Sequence, residues 1–200
     1  MSNTVKKVEI STNKKEWHPS PLVDQIVLVS TLEKDGTPNV ATKSWTSMVA
    51  IGPPPIIMFG CNVEHATAKN IFNRGEFVIN IPSDDLLATC WVVGSDPQIR
   101  GADRFKNNGL TPLPGNKIQT PHVGECKAHI ECVLDSTKKW EKEIVFFGKI
   151  VSVSLNAELL EGDSNDRYCK LAPLFYLDHI WAAPLGEPRR PVDPKPENGC

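Results

Sequence analysis

Two neighbouring stretches decide the fold: Thr42–Ser47, which reads TKSWTS, and Gly52–Pro55, which reads GPPP. The first lies inside a predicted β-strand but carries a lysine, a tryptophan and four hydroxyl side chains. A strand that buries only one face alternates polar with aliphatic residues, so this pattern instead indicates contact with something polar and flat. The prolines lack the N–H group that pairs strands, so they end this strand and connect it to the next one.

The segments on either side predict an antiparallel sheet. The Asp35–Gly36 pair, which separates two strand-like runs, is typical of a hairpin turn. Apolar patterns predict strands at residues 26–31, 39–51, 55–61, 76–82, 127–134 and 144–155. A polar bend is expected at Thr137–Lys142, between the last two of these strands.

Two short helices interrupt the strands. The first is predicted over His65–Gly75, with Thr67 as its N-cap and Gly75 as its C-terminal stop. The second is predicted over residues 84–93, and a shorter one near residues 103–106. Strands at this spacing, with hairpin turns, favour a small antiparallel barrel of six or seven strands over a parallel sheet.

The chain of 200 residues is long enough for one domain with a substantial core. We expect an N-terminal arm at residues 1–20, the barrel domain at 21–183 and a tail at 184–200. The tail contains five prolines and no apolar pattern, so it is predicted to be extended and solvated.

The composition disfavours several classes of partner. A formal net charge of -2 gives no electrostatic basis for binding nucleic acid or an anionic membrane. The apolar runs are much shorter than a membrane span, and the first residues lack the apolar core of a signal peptide. We therefore expect a cytoplasmic protein with no nucleic-acid partner and no membrane partner.

Cysteine and histidine residues give no sign of a metal site. The six cysteines are scattered and form no CxxC pair, so neither a disulfide framework nor a zinc site is expected. Cys132 alternates with apolar residues and is predicted to be a buried reduced thiol. His129 is predicted to face solvent, His122 to lie in a loop and His179 to have a structural role.

Four segments carry a resemblance to known proteins. They read DGTPNVATKSWTSMVAIGPPPIIMFG from residue 35, HATAKNIFNRGEFVINIP from residue 65, DRFKNNGLTPL from residue 103 and PHVGECKAHIECVL from residue 121. Together, and in this order, they resemble the flavin reductase-like family of FMN-binding split-barrel proteins, over residues 21–183. The resemblance implies a mainly β fold: a six-stranded antiparallel Greek-key split barrel with a few short helices. It also implies a homodimer, with the flavin in a groove near the dimer interface.

The resemblance further implies which residues contact FMN. The family's stretch that corresponds to TKSWTS contacts the flavin, which implies contacts from Lys43, Ser44, Trp45, Thr46 and Ser47. The next strand end and helix start imply contacts from Cys61, Asn62, His65, Ala66, Thr67 and Asn70. Hydroxyls, a lysine and a helix N-terminus suit a phosphate and a ribityl chain.

Several of these residues have a second interpretation. Trp45 is equally typical of a core or interface aromatic, and Thr67 of a simple N-cap. Asn70 could contact the ribityl chain or the protein backbone. His65 stands where family members often carry a basic residue, and it would bind phosphate best when protonated. Arg104 is expected to form a local ion pair with Asp103.

These expectations predict an FMN-dependent oxidoreductase of the flavin reductase type. Hydride would pass from NAD(P)H to the flavin, which needs no protein acid or base, so no catalytic side chain is predicted. No GxGxxG follows a strand, so the nicotinamide is expected to stack on the flavin without a Rossmann domain. One alternative is an FMN-binding electron carrier reduced by a redox partner protein. Another is an oligonucleotide-binding barrel, which the low net charge and an aromatic content of 7% disfavour.

Overall fold

The computed structural model describes residues 7–9, 11, 22–95, 102–178 and 181–186. Most of the predicted N-terminal arm, most of the predicted tail and His179 lie outside these residues. Of the helices in the described part of the chain, none combines the length and apolarity that crossing a bilayer requires.

Strands dominate the described residues. They are β1 Asp24–Gln25, β2 Val27–Leu32, β3 Pro38–Lys43, β4 Thr46–Ala50, β5 Ile56–Asn62, β6 Glu76–Ile81, β7 Pro112–Leu113, β8 His122–Val123, β9 Ala128–Trp140, β10 Glu143–Leu155, β11 Leu174–Asp178 and β12 Trp181–Pro184. The helices are α1 Ala66–Arg74, α2 Leu87–Ser95, α3 Ala102–Asn107 and α4 Ser164–Leu171, with 3₁₀ turns at Asp84–Leu86 and Ala157–Leu160.

The main sheet has seven antiparallel strands in the order β3-β2-β6-β9-β10-β5-β4. Its two edge strands, β3 and β4, are consecutive in the chain and only Ser44 and Trp45 separate them. Because two residues cannot span an open sheet, the two edges must meet, and the sheet closes into a barrel. The predicted fold class is confirmed, with seven strands where the family barrel has six.

The seventh strand is present because residues 39–51, predicted as one strand, form two strands, β3 and β4, in the structure. The prediction of a single strand is wrong. The chain breaks at Ser44 and Trp45, where β3 ends its pairing with β2 and β4 begins pairing with β5. The carbonyl of Trp45 still accepts a hydrogen bond from the amide of Gly60 at 2.9 Å, which fixes the break against β5. One stretch of sequence therefore serves both edges of the barrel.

The predicted bend at Thr137–Lys142 is also wrong. Strand β9 continues to Trp140, and its last residues pair with β10, Lys138 opposite Val145 and Trp140 opposite Glu143. These residues are exposed, so their polarity reflects a solvated two-stranded ribbon and not a loop. The turn itself occupies only Glu141 and Lys142.

Two apolar clusters form the core. The first fills the barrel beneath α1, where the ring of Phe59 lies 5.2 Å from that of Phe77 and 5.5 Å from that of Phe146. The second lies between β2, β3, α2 and α3 and includes Leu28, Val40 and Phe105. These clusters anchor α1 and α2 on opposite sides of β3, and this arrangement positions the candidate site.

A buried polar network crosses the barrel near its second cluster, and it corrects the prediction for two histidines. His122 lies on β8 and His129 on β9; both are buried, with ring centroids 4.3 Å apart. His122 Nε2 lies 2.7 Å from a carboxylate oxygen of Glu131, and His129 Nδ1 lies 2.9 Å from Asn80 Oδ1. Sequence alternation alone could not reveal this network, because β8 covers the face of β9 that was expected to be solvated.

The network predicts a loss of stability in mild acid. Burial, and then the neighbouring His122, lower the pKa of His129 from 6.5 to about 4. Between these values the unfolded chain binds a proton that the folded chain does not. The free energy of unfolding should therefore fall by about 2–3 kcal/mol as the pH drops from 6.5 to 4. Urea unfolding across this range measures the slope, and His129→Gln should flatten it. A slope that persists in the variant would assign the effect to another group.

Candidate functional site

The first turn of α1 is left without a side-chain cap. Strand β5 ends at Asn62, whose side chain accepts a hydrogen bond from the amide of Glu64 at 2.9 Å, and the chain then turns into the helix. The N-cap is His65, which has an extended backbone and makes no capping side-chain hydrogen bond. The predicted cap, Thr67, is instead a buried residue inside the first turn. The first amides of α1 and the positive end of its dipole are therefore available to an anion.

One face of strand β3 lines the same pocket as this helix end. Asn39, Ala41 and Lys43 share one face of β3, as the two-residue strand period requires. With His65 and Arg104 they line a pocket of about 320 Å³, which we call the basic pocket; its lining residues are Asn39, Ala41, Thr42, Lys43, Glu64, His65, Ala66, Thr67, Val93, Gly94, Ser95 and Arg104.

The basic side chains in this pocket disfavour one another's protonated forms. Lys43 Nζ lies 3.5 Å from His65 Nδ1. Burial lowers the pKa of Lys43, and nearby Arg104 lowers it further. Partial burial lowers the pKa of His65, and electrostatic repulsion from Lys43 lowers it further. Mutual repulsion of this kind is relieved when an anion binds between the cations.

Arg104 and Asn39 also line the pocket, and their hydrogen bonding bears on what it can hold. Arg104 donates hydrogen bonds to the carbonyls of Val40, at 3.2 Å, and Val93, at 3.0 Å, so it ties α3 to β3 and α2. Asn39 is buried, and its Oδ1 has no hydrogen-bond partner in the structure. Because an unpaired buried acceptor is costly, this atom indicates a ligand that donates a hydrogen bond, such as a hydroxyl group.

Two branches extend from the basic pocket along Thr42–Ser44. The first, which we call the strand-break branch, has a volume of about 350 Å³ and includes Trp45, Gly60, Cys61 and Asn62. The ring of Trp45 packs closely against β5 there: a Cβ atom on Gly60 would come within 3.1 Å of it. Glycine at position 60 therefore lets the tryptophan approach β5 while about half of its surface stays exposed.

The second branch, which we call the apolar branch, has a volume of about 300 Å³. Ile26, Leu87, Cys90, Trp91, Tyr176 and Ala182 form its apolar walls. Helix α2 is fixed beside it, since the hydroxyl of Thr42 donates to the carbonyl of Cys90 at 2.6 Å. The size and lining of this branch suit one small flat ring.

The structure brings together most of the residues predicted from the sequence. Those that line the basic pocket or the strand-break branch are Lys43, Ser44, Trp45, Cys61, Asn62, His65, Ala66 and Thr67. Thr46 lies just beyond the break, and its buried hydroxyl has no hydrogen-bond partner in the structure. Ser47 is exposed and donates to the carbonyl of Met48 at 3.3 Å.

Asn70 points away from the cleft. Its side-chain amide donates to the hydroxyl of Thr31 at 3.0 Å, inside the barrel. It therefore fixes α1 against β2, and it does not line the basic pocket or either branch.

Sequence reasoning missed Asn39 and Arg104. Asn39 could have been found, because it lies four residues before Lys43 and so shares its face of a strand. Arg104 could not have been found from local pattern, since only the packing of α3 on β3 brings it to the pocket. Within the described residues, no group of three or more His, Cys, Asp or Glu side chains is placed to hold a metal ion.

The residues fit FMN, a ligand with a terminal phosphate, a chain of hydroxyls and a flat ring. The lysine and histidine side chains and the uncapped helix end fit the phosphate, and the unpaired Oδ1 of Asn39 fits a hydroxyl donor. The closed barrel and this cleft define the class, a split-barrel protein with a site for a phosphorylated flat ligand.

Comparison with known proteins identifies the family. A family model described as "Flavin reductase like domain" matches residues 20–178, so the chain belongs to this family of flavin-binding oxidoreductases. It is 30% identical over 126 residues to an uncharacterised protein of Pyrococcus abyssi, which covers 62% of this chain and 70% of the relative.

Solved structures share the fold. Flavoredoxin of Desulfovibrio vulgaris superposes with a TM-score of 0.76 at 24% identity, over 96% of this chain and 98% of that one. Nitrilotriacetate monooxygenase component B from Bacillus cereus gives a TM-score of 0.77 at 22% identity, over 92% of this chain and 100% of that one.

The opposed cations make a direct prediction about His65. Replacing Lys43 by Met should raise the pKa of His65, because the ammonium group that disfavours the imidazolium is gone. NMR titration of the His65 ring protons measures this pKa. Lys69→Met is the matched control: Lys69 is paired with Glu64 at 3.1 Å, so its loss should leave the pKa of His65 nearly unchanged. A pKa of His65 that stays the same or falls in Lys43→Met would contradict the account.

Proposed function

We propose that the protein is an FMN-binding oxidoreductase of the flavin reductase type, which passes hydride from NAD(P)H to FMN and electrons on to an acceptor. The single observation that carries this proposal is the basic pocket. It places a lysine and a histidine 3.5 Å apart beside an uncapped helix N-terminus, and this arrangement suits a terminal phosphate.

In this proposal the phosphate is held by the basic pocket. Lys43, His65 and Arg104 supply positive charge from β3, the N-cap of α1 and α3. The amides of Ala66 and Thr67 supply donors at the first turn of the helix. Asn39 accepts a hydrogen bond from a ribityl hydroxyl, which gives its unpaired Oδ1 a partner.

The flat ring is held by the strand-break branch. Ser44 and Asn62 present polar groups to the edge of the ring, and Trp45 and Cys61 form an apolar wall. Thr46, whose hydroxyl has no partner, and Ser47 lie next to this branch and complete the set of expected contacts. Asn70 acts indirectly, by fixing α1 through its hydrogen bond to Thr31.

FMN, when bound, supplies the redox chemistry by accepting a hydride and releasing electrons one or two at a time. The protein's residues provide binding, orientation and exclusion of water. The apolar branch meets the strand-break branch at Lys43 and Ser44, so a second flat ring, the nicotinamide, can lie there beside the first. No Rossmann motif is needed for such stacking.

A second candidate function is a flavin-bearing electron carrier that is reduced by a partner protein. The similarity in fold to flavoredoxin supports it, and that to component B of nitrilotriacetate monooxygenase supports a reductase that serves a partner enzyme. We favour the reductase because the apolar branch leaves space for a nicotinamide next to the ring site.

An anaerobic titration separates the two functions. Protein purified and saturated with FMN is mixed with NADH or NADPH, and the flavin absorbance near its visible maximum is followed. The reductase predicts rapid bleaching with at least one nicotinamide, and Leu87→Trp, which fills the apolar branch, should slow it about tenfold or more. Leu160→Ser, at an exposed site outside the cleft and outside the proposed dimer interface, is the control. Bleaching by a reduced redox protein alone would support the carrier, and failure to bind FMN would contradict both.

We further propose a cytoplasmic homodimer. Support for the location comes from the described cysteines, which are all free thiols, as in a reducing compartment. Support for the dimer comes from a row of exposed apolar side chains on and after β4, namely Met48, Val49 and Ile51.

Light scattering after size-exclusion chromatography tests the dimer. The expected mass is twice that of one chain, and Ile51→Asp should shift the mass toward that of one chain by placing a charge in the interface. Leu160→Asp, at another exposed leucine, is the matched control and should leave the mass unchanged. A single-chain mass for the unmodified protein would contradict the homodimer.

A further inference from the structure

His65 sits in an unusual charge environment for a histidine at a helix N-terminus. It faces Lys43 on β3, Arg104 on α3 and Glu143 on β10. Together the two cations lower the pKa of His65 by more than the carboxylate raises it. Cys61, on β5 beneath Lys43, is neutral because burial raises its pKa to about 11. The two charged neighbours on its own segment, Glu64 and Lys69, pair with each other at 3.1 Å and largely cancel.

The contact with Lys43 favours the neutral form of His65 in the free protein. A lysine ammonium group has only donors, so the 3.5 Å contact is favourable only when Nδ1 of His65 is the acceptor. An imidazole that accepts at Nδ1 carries its single proton on Nε2 and is neutral. In the free protein, therefore, His65 is the uncharged member of a pair whose other member is charged.

A doubly charged phosphate would favour the protonated form of His65 over the neutral form. A phosphate monoester has a second pKa of about 6, so it carries close to two negative charges at neutral pH. Placed against Lys43 and the first turn of α1, it would offset the repulsion between the two side chains and favour the imidazolium. Each phosphate of a diphosphate bridge carries only about one charge, and riboflavin carries no phosphate at all.

We propose that His65 makes this site selective for a terminal phosphate monoester, by taking up a proton when the phosphate binds. This inference rests on the proposed function, since FMN is the flavin that ends in such a phosphate. The site then prefers FMN over FAD and riboflavin, and its affinity for FMN decreases as the pH rises. An arginine or lysine at position 65 would give charge but not this pH dependence, because either stays protonated.

Calorimetry on the full-length, flavin-free protein tests the proton uptake. FMN is titrated at pH 7 in buffers with different ionisation enthalpies, and the slope of the measured heat gives the number of protons exchanged. We expect a net uptake of up to about one proton per FMN, and none for riboflavin. Fluorescence titration should show FMN binding at least about tenfold more tightly than FAD.

Three variants distinguish proton uptake by His65 from the effect of a fixed positive charge at position 65. His65→Asn should abolish the uptake and weaken FMN about tenfold at pH 6.5, with riboflavin affinity unchanged. His65→Lys should restore FMN affinity while proton uptake stays absent. Lys69→Gln, the control on the same helix, should behave like the unmodified protein, since its partner is Glu64. His65 is exposed, so none of these changes disturbs the core.

The outcomes distinguish this inference from the proposed function. If FMN fails to bind, the proposed function itself fails. If FMN binds with no proton uptake, or with an uptake that persists in His65→Asn, the flavin site stands and the role of His65 is overturned. Equal affinity for FMN and FAD would likewise overturn the selectivity while leaving the flavin site in place.

Discussion

The whole structure depends on the two-residue break at Ser44 and Trp45. Because β3 and β4 occupy opposite edges of the main sheet, this short link forces the edges together and closes the barrel. The same link ends β3 at Lys43, next to the first turn of α1, and opens the strand-break branch beside Trp45. Barrel closure and the candidate site therefore have one structural cause. Changing the length of this link would be expected to disturb both.

Charge favours an anion at the proposed site. Lys43, His65 and Arg104 converge from three separate elements, and their positive charges disfavour the protonated forms of Lys43 and His65. In the proposed complex, a bound phosphate would offset this repulsion. The unpaired Oδ1 of Asn39 is a second unmet requirement in the same pocket, and a ribityl hydroxyl would meet it in the proposed complex. Under the proposal, both features would stabilise the complex more than the free protein.

The sequence predicts the fold class well, because strand periodicity and the Asp35–Gly36 turn are local signals that the structure retains. It does not predict the break at Ser44, since pairing with two different neighbours leaves no mark on side-chain alternation. The burial of His129 is missed because β8, a strand of two residues just before β9 in the chain, folds back and covers it with the ring of His122. At the site, local reasoning selects Lys43, His65 and Thr67, which line the basic pocket, and Asn70, whose amide donates to the buried hydroxyl of Thr31 instead of lining it. Arg104 enters only through tertiary packing.

The central claim is that the phosphate of FMN lies on the first turn of α1, against Lys43. Backbone amide NMR of the labelled protein tests this most directly, with FMN and riboflavin added in parallel. The account predicts large shifts of the amides of Ala66, Thr67 and Ala68 with FMN and much smaller ones with riboflavin, while residues around Trp45 respond to both. Equal responses of the α1 amides to the two flavins, or shifts confined to another face of the barrel, would contradict it.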